Sequence, residues 1–573
     1  MNRIFLLFCL LAFFSMSTQA QFGEELQING NFQMDAYTYS EDSLRGAESS
    51  DEKILMMSYA NINASYKNFT AGIRYEGYMN SLQGYNPVNE GVGIPHYFAT
   101  YRVDEIEVTV GSYYEQFGSG LVFRTYEEKT IGYDNAMNGI RVKYNIGDGI
   151  ILKGIYGRQR ERQAIINNGT ILLLGDGIVR GLDAEFSMNE IFGGMVESKT
   201  RLTFGGSFVS KYQEDDDPTF KLPLNTAAGA ARFGLSRGKI RLEGEYAYKS
   251  MDPSAGGTDN SNGNVGMSYI YRSGQAAFLT ASYSQKGMGI SLSAKSIDNM
   301  NFRSERTAKL NDLSINYIPD INKNHTYAFA AMFPYGTQPS GEAGFRAEFL
   351  YKFKKNTPLG GKYGTHITLN YSRMFSLTKE LTDTIEVLAS NEGTVGYKTS
   401  LVSFGDELFH DDLFLAISKK FSKKVKGDFL LQKLSYNNSI IHGAAPAGDG
   451  SDAEEIHTFT GVANVTYKFQ SKKALRTELQ YLHSEDQNRD WMFVSLEYSI
   501  PNWFFTITNQ YNLGNPNPEK VLSFPSLSVA YNHKATRIQL GYASNRQGVI
   551  CAGGVCRVVP ASNGFVLSIT SSF

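Results

Sequence analysis

The sequence predicts an all-β chain: a single large antiparallel transmembrane β-barrel of about 26 strands, within roughly 22 to 26. Three observations lead there. The stretch Gly564 to Phe573 puts Phe565, Leu567, Ile569 and Phe573 on one side of an extended strand and Val566, Ser568, Thr570 and Ser572 on the other, because strand side chains alternate. Its length suits the roughly 9 to 11 residues that cross a bilayer at a tilt, so the first set is the barrel-closing signal. Composition is the second: 56 Gly, 35 Tyr and 37 Phe against 15 Pro describe many strands and tight turns. The third is that connections alternate short and long, as on the two rims of a barrel.

Taken in order, residues 1–20 read as a secretory signal peptide, with Arg3, an apolar run from Ile4 to Phe14 and the small-residue end Thr18 to Ala20. Cys9 sits behind Phe8, too early for a lipoprotein site, and two cysteines follow in the mature chain. Residues 21–573 are then the barrel. Leu26, Ile28, Gly30, Phe32, Met34 and Ala36 alternate with Gln27, Asn29, Asn31, Gln33 and Asp35, so the first strand leaves no room for a plug domain ahead of it. Ile54 to Tyr66 descends to the turn Lys67-Asn68, and Phe69 to Gly77 returns.

The rhythm continues through His96 to Val103, Ile106 to Tyr114, Gly139 to Ile146, Ile150 to Gly157, Ile178 to Met188, Arg201 to Lys211, Ala227 to Ser236 and Lys239 to Lys249. Next come Gln275 to Ser284, Gly289 to Ile297, Leu310 to Tyr317, Thr326 to Phe333, Ala343 to Phe353 and Thr365 to Arg373. Asp411 to Phe421, Val425 to Tyr436, Thr458 to Phe469, Leu475 to Leu482, Trp491 to Ile500, Trp503 to Asn512, Ser523 to Tyr531 and Thr536 to Ala543 complete the set before the closing strand. Short links such as Asp104-Glu105, Arg237-Gly238 and Pro501-Asn502 alternate with long ones such as Ser250 to Gly274 and Phe375 to His410. No linker or low-complexity tract divides the chain, which argues against a string of soluble β domains.

Without the leader the net charge is −3, which argues against nucleic acid as a partner. A membrane barrel turns its apolar face to lipid and its polar face to the lumen. On the polar face lie four Arg-x-Glu pairs: Arg74 and Glu76, Arg241 and Glu243, Arg346 and Glu348, Arg476 and Glu478. Residues two apart on one strand face are neighbours, so these pairs can form ion lattices on a watery wall. The stretch Tyr113 to Arg141 departs from the hairpin rhythm. It is both apolar and charged, and glycines at 118 and 120 allow sharp bends. The expectation is a constriction or internal plug folded into the barrel that carries Glu115, Arg124, Glu127, Glu128, Lys129 and Arg141; the alternative is an ordered extracellular hairpin.

No catalytic constellation stands out, because the eight histidines are scattered, and no cofactor or resident metal is expected. His410-Asp411-Asp412 and Glu214-Asp215-Asp216-Asp217 are weak calcium candidates at loop tips and are better read as solvated loop. Cys551 and Cys556 flank a glycine pair in an exported chain, which predicts a disulfide that stiffens the last long loop.

With these residues in place, the chain resembles a family of uncharacterised outer-membrane barrels from Bacteroidota. The resemblance rests on Tyr114 to Leu121, Arg124 to Glu127, Asp134 to Ala136, Gly287 to Lys295, Ile297 to Asn299, Lys362 to Gly364, Gly554 to Arg557, Pro560 to Gly564 and Ile569 to Phe573. It implies fold and location and carries no activity. Asp42-Ser43-Leu44 and Asp383-Thr384-Ile385 also look like O-glycan acceptors of that phylum.

The function expected is a channel for small solutes with a gated or constricted lumen; the alternative is a non-conducting accessory barrel in a larger envelope complex. Outer-membrane lipid and the barrel-assembly machinery are the expected partners, with a protein partner under the second reading. Even 16 to 18 strands leave an aqueous channel, so something must fill or gate a wider barrel.

Overall fold

The computed structural model describes residues 26–573 apart from 81, 85–90, 162–172, 216–221, 254–270, 309–311, 382–396, 443–454, 486–488, 516–520 and 553–554. The predicted signal peptide therefore lies outside the described residues. A 24-stranded antiparallel sheet closes on itself. Each strand pairs with its neighbours in sequence, and the first, Leu26–Tyr37, pairs with the last, Ser562–Ser572. Closure removes every sheet edge, which an apolar surround requires because unpaired backbone groups cannot be hydrated there.

Alternation explains which way each strand faces. Leu182, Phe208, Ile507, Leu540 and Phe565 stand exposed on the outer surface, while the residues between them turn inward. A row of this kind outside a closed barrel is a lipid-facing surface, and single-chain barrels so built belong to the outer membrane. Near the short-turn rim, aromatic neighbours ring the wall, including Tyr351 with Phe353, Tyr467 with Phe469, and Trp503 with Tyr531 at 4.6 Å between ring centres. Such girdles mark the depth of the headgroups. Two-residue turns such as Lys67-Asn68 and Lys534-Ala535 stand on that rim, and Lys67, Asn502 and Lys534 take the left-handed backbone that tight hairpins need.

Phe573 completes the seam. Its amide donates to the Gly30 carbonyl at 3.0 Å, the Gly30 amide donates back at 3.1 Å, and its ring covers the space a Gly30 side chain would fill. Removing Phe573 is expected to lower the yield of heat-modifiable, membrane-assembled barrel several-fold on gels of cell envelopes; an unchanged yield would remove the residue from closure.

Two of the predicted strands are not wall. The segments expected at Leu310 to Tyr317 and Thr326 to Phe333 belong to one excursion, residues 299–340, between Met288–Asp298 and Gly341–Phe353. Those two strands pair directly with each other, so the excursion leaves the wall and returns at the same place. Its alternation is apolar without a lipid-facing role: Met300, Phe302, Ile315 and Phe329 are each no more than 1% exposed. Each such burial is worth roughly 1.5 to 3 kcal/mol relative to exposure, which draws the segment inward. The other 24 predicted segments match the 24 strands observed.

Candidate functional site

Two segments enter the lumen from the long-loop rim. The first, residues 114–136, joins strands Ile106–Tyr113 and Met137–Ile146; the second is residues 299–340. They pair with each other inside. The Tyr317 amide donates to the Gly120 carbonyl and the Arg124 amide to the Ile315 carbonyl, both at 2.9 Å. The Asn316 side-chain amide donates to the Leu121 carbonyl at 3.3 Å, and that of Asn135 to the Ser314 carbonyl at 3.0 Å. Arg124 lies between the rings of Tyr126 and Tyr317, 4.6 and 4.0 Å from their centres, one ring from each segment.

Around this pairing forms an apolar cluster. Phe117, Leu121, Val122, Phe123, Phe302, Ile315 and Ile318 meet small or branched wall residues from seven successive strands, Ile155, Val179, Val209, Ala228, Ala247, Ala276 and Ile297. Farther round, Phe329 packs against Trp491, Phe493 and Phe524, while Ala330 meets Phe414, Leu430 and Val462. Wall residues are thus covered across most of the circumference, from the long-loop end to about mid-wall.

Charge fixes the first segment to the wall. Arg74 reaches Glu76 at 2.7 Å, Glu127 at 2.8 Å and also Asp134. Arg160, from the strand Ile150–Arg160, holds Glu76 at 2.8 Å and Asp134 at 2.7 Å. Tyr114 donates to Asp134 at 2.9 Å. Burial alone would raise the Asp134 carboxyl, but Arg160 and Arg74 outweigh it and hold it well below the usual range. Glu115 receives Lys153 at 2.9 Å and Arg141 at 3.5 Å, and Arg141 also pairs with Glu107. Gly118 has φ +53 and its missing side chain would meet the Glu245 carboxylate at 2.6 Å. That carboxylate accepts the Ser119 amide at 2.7 Å, an approach only glycine permits.

Wall lysines hold the second segment by its backbone. Lys249 donates to the Asn301 carbonyl at 2.6 Å, and Lys295 donates to the Pro319 carbonyl at 3.0 Å while pairing with Glu342 at 2.5 Å. Lys323 reaches Glu348 at 2.6 Å, and His325 lies 2.8 Å from Asp412. Asp320, also on this segment, is pushed up to about 6 by burial, with nearby Lys295 opposing. A carboxyl whose folded pKa exceeds its unfolded value adds stability that is full below about 4 and is lost as pH rises through about 6. Hydrogen exchange around residues 317–323, corrected for intrinsic rates, is therefore expected to be slower at pH 5 than at pH 7.5. Asp320→Asn should erase the difference, and a difference that survives would place its source elsewhere.

Most residues predicted for the constriction meet these segments. Beyond the bonds of Glu115, Arg124 and Glu127, Lys129 stands over the Tyr59 ring at 4.7 Å. Glu128 caps the short turn Lys129–Ile131 by accepting the Thr130 amide. Arg346 and Glu348 pair at 2.7 Å beneath Lys323, and Arg476 and Glu478 pair at 2.6 Å. Gln480 links Glu478 to the second segment by accepting the Phe329 amide at 2.9 Å. Arg241 and Glu243 differ: they pair with each other at 2.6 Å, largely exposed, nearer the short-turn rim. Sequence reasoning missed Asp134, Arg160, Lys249 and Lys295, which carry no local signal beyond a charge on an inward strand position or next to a turn.

Neither the solvated-loop reading of His410-Asp411-Asp412 nor the calcium alternative holds: His410 and Asp412 are buried. These residues lie within the strand Leu408–Lys420, not at a tip; Asp412 serves His325 and Gln432, and Asp411 accepts from Tyr371. In the other acidic run, Asp215 accepts the Leu222 amide, while 216 and 217 lie outside the described residues. No cluster of three or more His, Cys, Asp or Glu fit to hold a metal occurs among the described residues. Cys551 and Cys556 are joined in the hairpin Gly548–Ala552 and Val555–Val559. The hairpin touches both inward segments: Cys551 Sγ is 3.9 Å from the Pro334 carbonyl oxygen, and Arg557 donates to the Thr130 carbonyl at 3.4 Å. Of the two glycan-like motifs, Ser43 lies on an exposed loop and 383–385 lies outside the described residues.

No curated protein matches the sequence. Among solved structures, the chain is similar to the P pilus usher (PapC) translocation pore at 9% identity and TM-score 0.41, covering 96% of this chain and 99% of that one. It is similar to the siderophore receptor PirA from Pseudomonas aeruginosa at 9% identity and TM-score 0.38, over 96% and 80% of the two chains. The copper transporter OprC gives 10% identity and TM-score 0.38, over 96% and 81%. Nothing those proteins carry transfers at such values. One family model spans residues 1–573, and the chain belongs to that family, the Family of unknown function DUF6029.

Proposed function

We propose that this barrel is an outer-membrane channel for small solutes whose lumen is closed, in the state described, by the paired segments 114–136 and 299–340. The observation that carries this reading is that the two segments fill the lumen from the long-loop rim down to about mid-wall. Below it the inward wall is polar and open to solvent: Asn61 bonds Asn31 at 2.9 Å and Asn63 bonds Asn29 at 3.3 Å on an exposed face, and Arg537 bonds Gln539 at 3.0 Å. A wet half-lumen that ends on a hydrogen-bonded, ion-paired partition is the anatomy of a gate. Both ends of each segment are anchored in the wall, so opening must be a local rearrangement. Insertion by the barrel-assembly machinery and an origin in Bacteroidota belong to the same reading.

The second reading is a sealed accessory barrel in an envelope complex, and the apolar packing of Phe117, Leu121, Phe302 and Ile315 favours it. Planar-bilayer recording of the purified full chain separates the two. Stable ion steps support the channel, whereas silence at all voltages together with a stoichiometric co-purifying protein supports the accessory role.

A further inference from the structure

We propose that the short-turn mouth of the lumen is a recognition surface for small polyanionic solutes, phosphorylated or polycarboxylated. This deepens the channel reading by naming the solute class, and it rests on that reading for passage beyond the recognition step.

The charge is unevenly placed around this rim. Residues 350–364, 418–428 and 466–475 make three adjacent turns and the strand ends beside them. They contain 12 lysines and one carboxylate, Asp428, although the whole chain is close to neutral. Parity decides which lysines face the lumen. Leu413, Leu431, Phe459, Tyr467 and Phe469 are exposed on the lipid side of their strands, so Lys420, Lys426 and Lys468 lie on the opposite, luminal side. Lys352 does likewise, between the outward rings of Tyr351 and Phe353. Four of five consecutive strands thus present inward cations at one level.

Farther in, the carboxylates that face them are already engaged. Asp428 holds Lys426 at 2.9 Å, and Glu478 holds Arg476 at 2.6 Å. A concavity accompanies the charge. A cavity of about 410 Å³ opens beside the arc, lined by Lys468, Lys472, Lys473, Ser499 and Phe504 among others. Lys468, Ala474, Ser499 and Phe504 share luminal parity, which places the cavity at the mouth and off the lipid face. Clustered cations over low-dielectric walls concentrate anions and speed their arrival.

The test uses the folded full chain in zwitterionic nanodiscs with sodium tripolyphosphate as probe, followed by calorimetry at low and at physiological salt. Wild-type protein is expected to bind, more weakly as salt rises. The variant Lys420→Gln/Lys426→Gln/Lys468→Gln should bind about tenfold more weakly or worse. The charge-matched control Lys67→Gln/Lys286→Gln/Lys534→Gln, on the same rim outside the luminal arc, should bind as wild type. Absence of binding overturns the proposal, and so does equal weakening in both variants. Displacement of the probe by anionic phospholipid added to the nanodisc would reassign the surface to headgroups and overturn the solute assignment.

Reversal potentials in a salt gradient add the second arm, with anion preference expected in wild type and reduced in the luminal variant. Steps without anion preference sink this inference while leaving the channel reading intact. No steps at all sink the channel reading, and the calorimetry still decides recognition.

Discussion

Replacing residues 301–338 by a short Gly-Ser linker is expected to turn a barrel of low or absent conductance into one with large, stable ion steps. Asp298 and Gly341 are directly paired across the ladder, so a short turn can rejoin their strands without disturbing the wall. The deletion also strips the first segment of Ile315, Asn316 and Tyr317, to which its backbone is bonded. Since 16 to 18 strands already leave an aqueous channel, a 24-stranded wall that keeps only the first segment should conduct about tenfold more than wild type, or better. Heat-modifiability on gels checks that the variant folded. A folded variant with unchanged conductance would mean that residues 299–340 do not close the lumen.

The second large effect concerns Arg160. Its removal as Arg160→Ala leaves Glu76 and Asp134 buried with Arg74 as their remaining guanidinium. Breaking one partner out of a buried ionic group costs on the order of 3 to 5 kcal/mol, far above the value of a surface pair. The loss should appear as a lower melting temperature and as trypsin cleavage within 114–136, at sites that wild-type protein protects. The pH dependence has a definite sign. A carboxyl held below its unfolded pKa contributes stability that is present above that value and lost as pH falls through the folded one. Wild-type protection of the segment should therefore persist well into acid and fail at a higher pH in Arg160→Ala. Equal acid sensitivity in both would show that Asp134 does not draw its stability from this guanidinium.

Much of the wall was legible because its signal is local. Phe565, Leu567 and Ile569 alternate with hydroxyl residues over one strand, and nothing distant is needed to interpret them. The segment at 114–136 was legible for a different reason: Glu127, Arg124 and Phe117 together suit neither lipid nor open solvent. By contrast, Ile315 and Phe329 lie in stretches whose period-2 pattern is the same as that of a wall strand, so periodicity alone assigned them to the wall. What distinguishes Ile315 is a partner, the first inward segment, that lies 179 and 195 residues away in sequence at the bonds from Asn135 to Ser314 and from Asn316 to Leu121, while Phe329 packs on the distant wall residues Trp491, Phe493 and Phe524. Asp134 and Arg160 were missed likewise, because an ion pair across the lumen leaves no spacing in the sequence.

A density map of the purified protein in lipid nanodiscs at side-chain resolution bears most directly on the partition. The expected result is 24 strands around a lumen whose long-loop half holds residues 114–136 and 299–340, joined where Tyr317 meets Gly120 and Arg124 meets Ile315. A wall of 26 strands that incorporates residues 312–317 and 326–333, or a lumen empty of both segments, would contradict it.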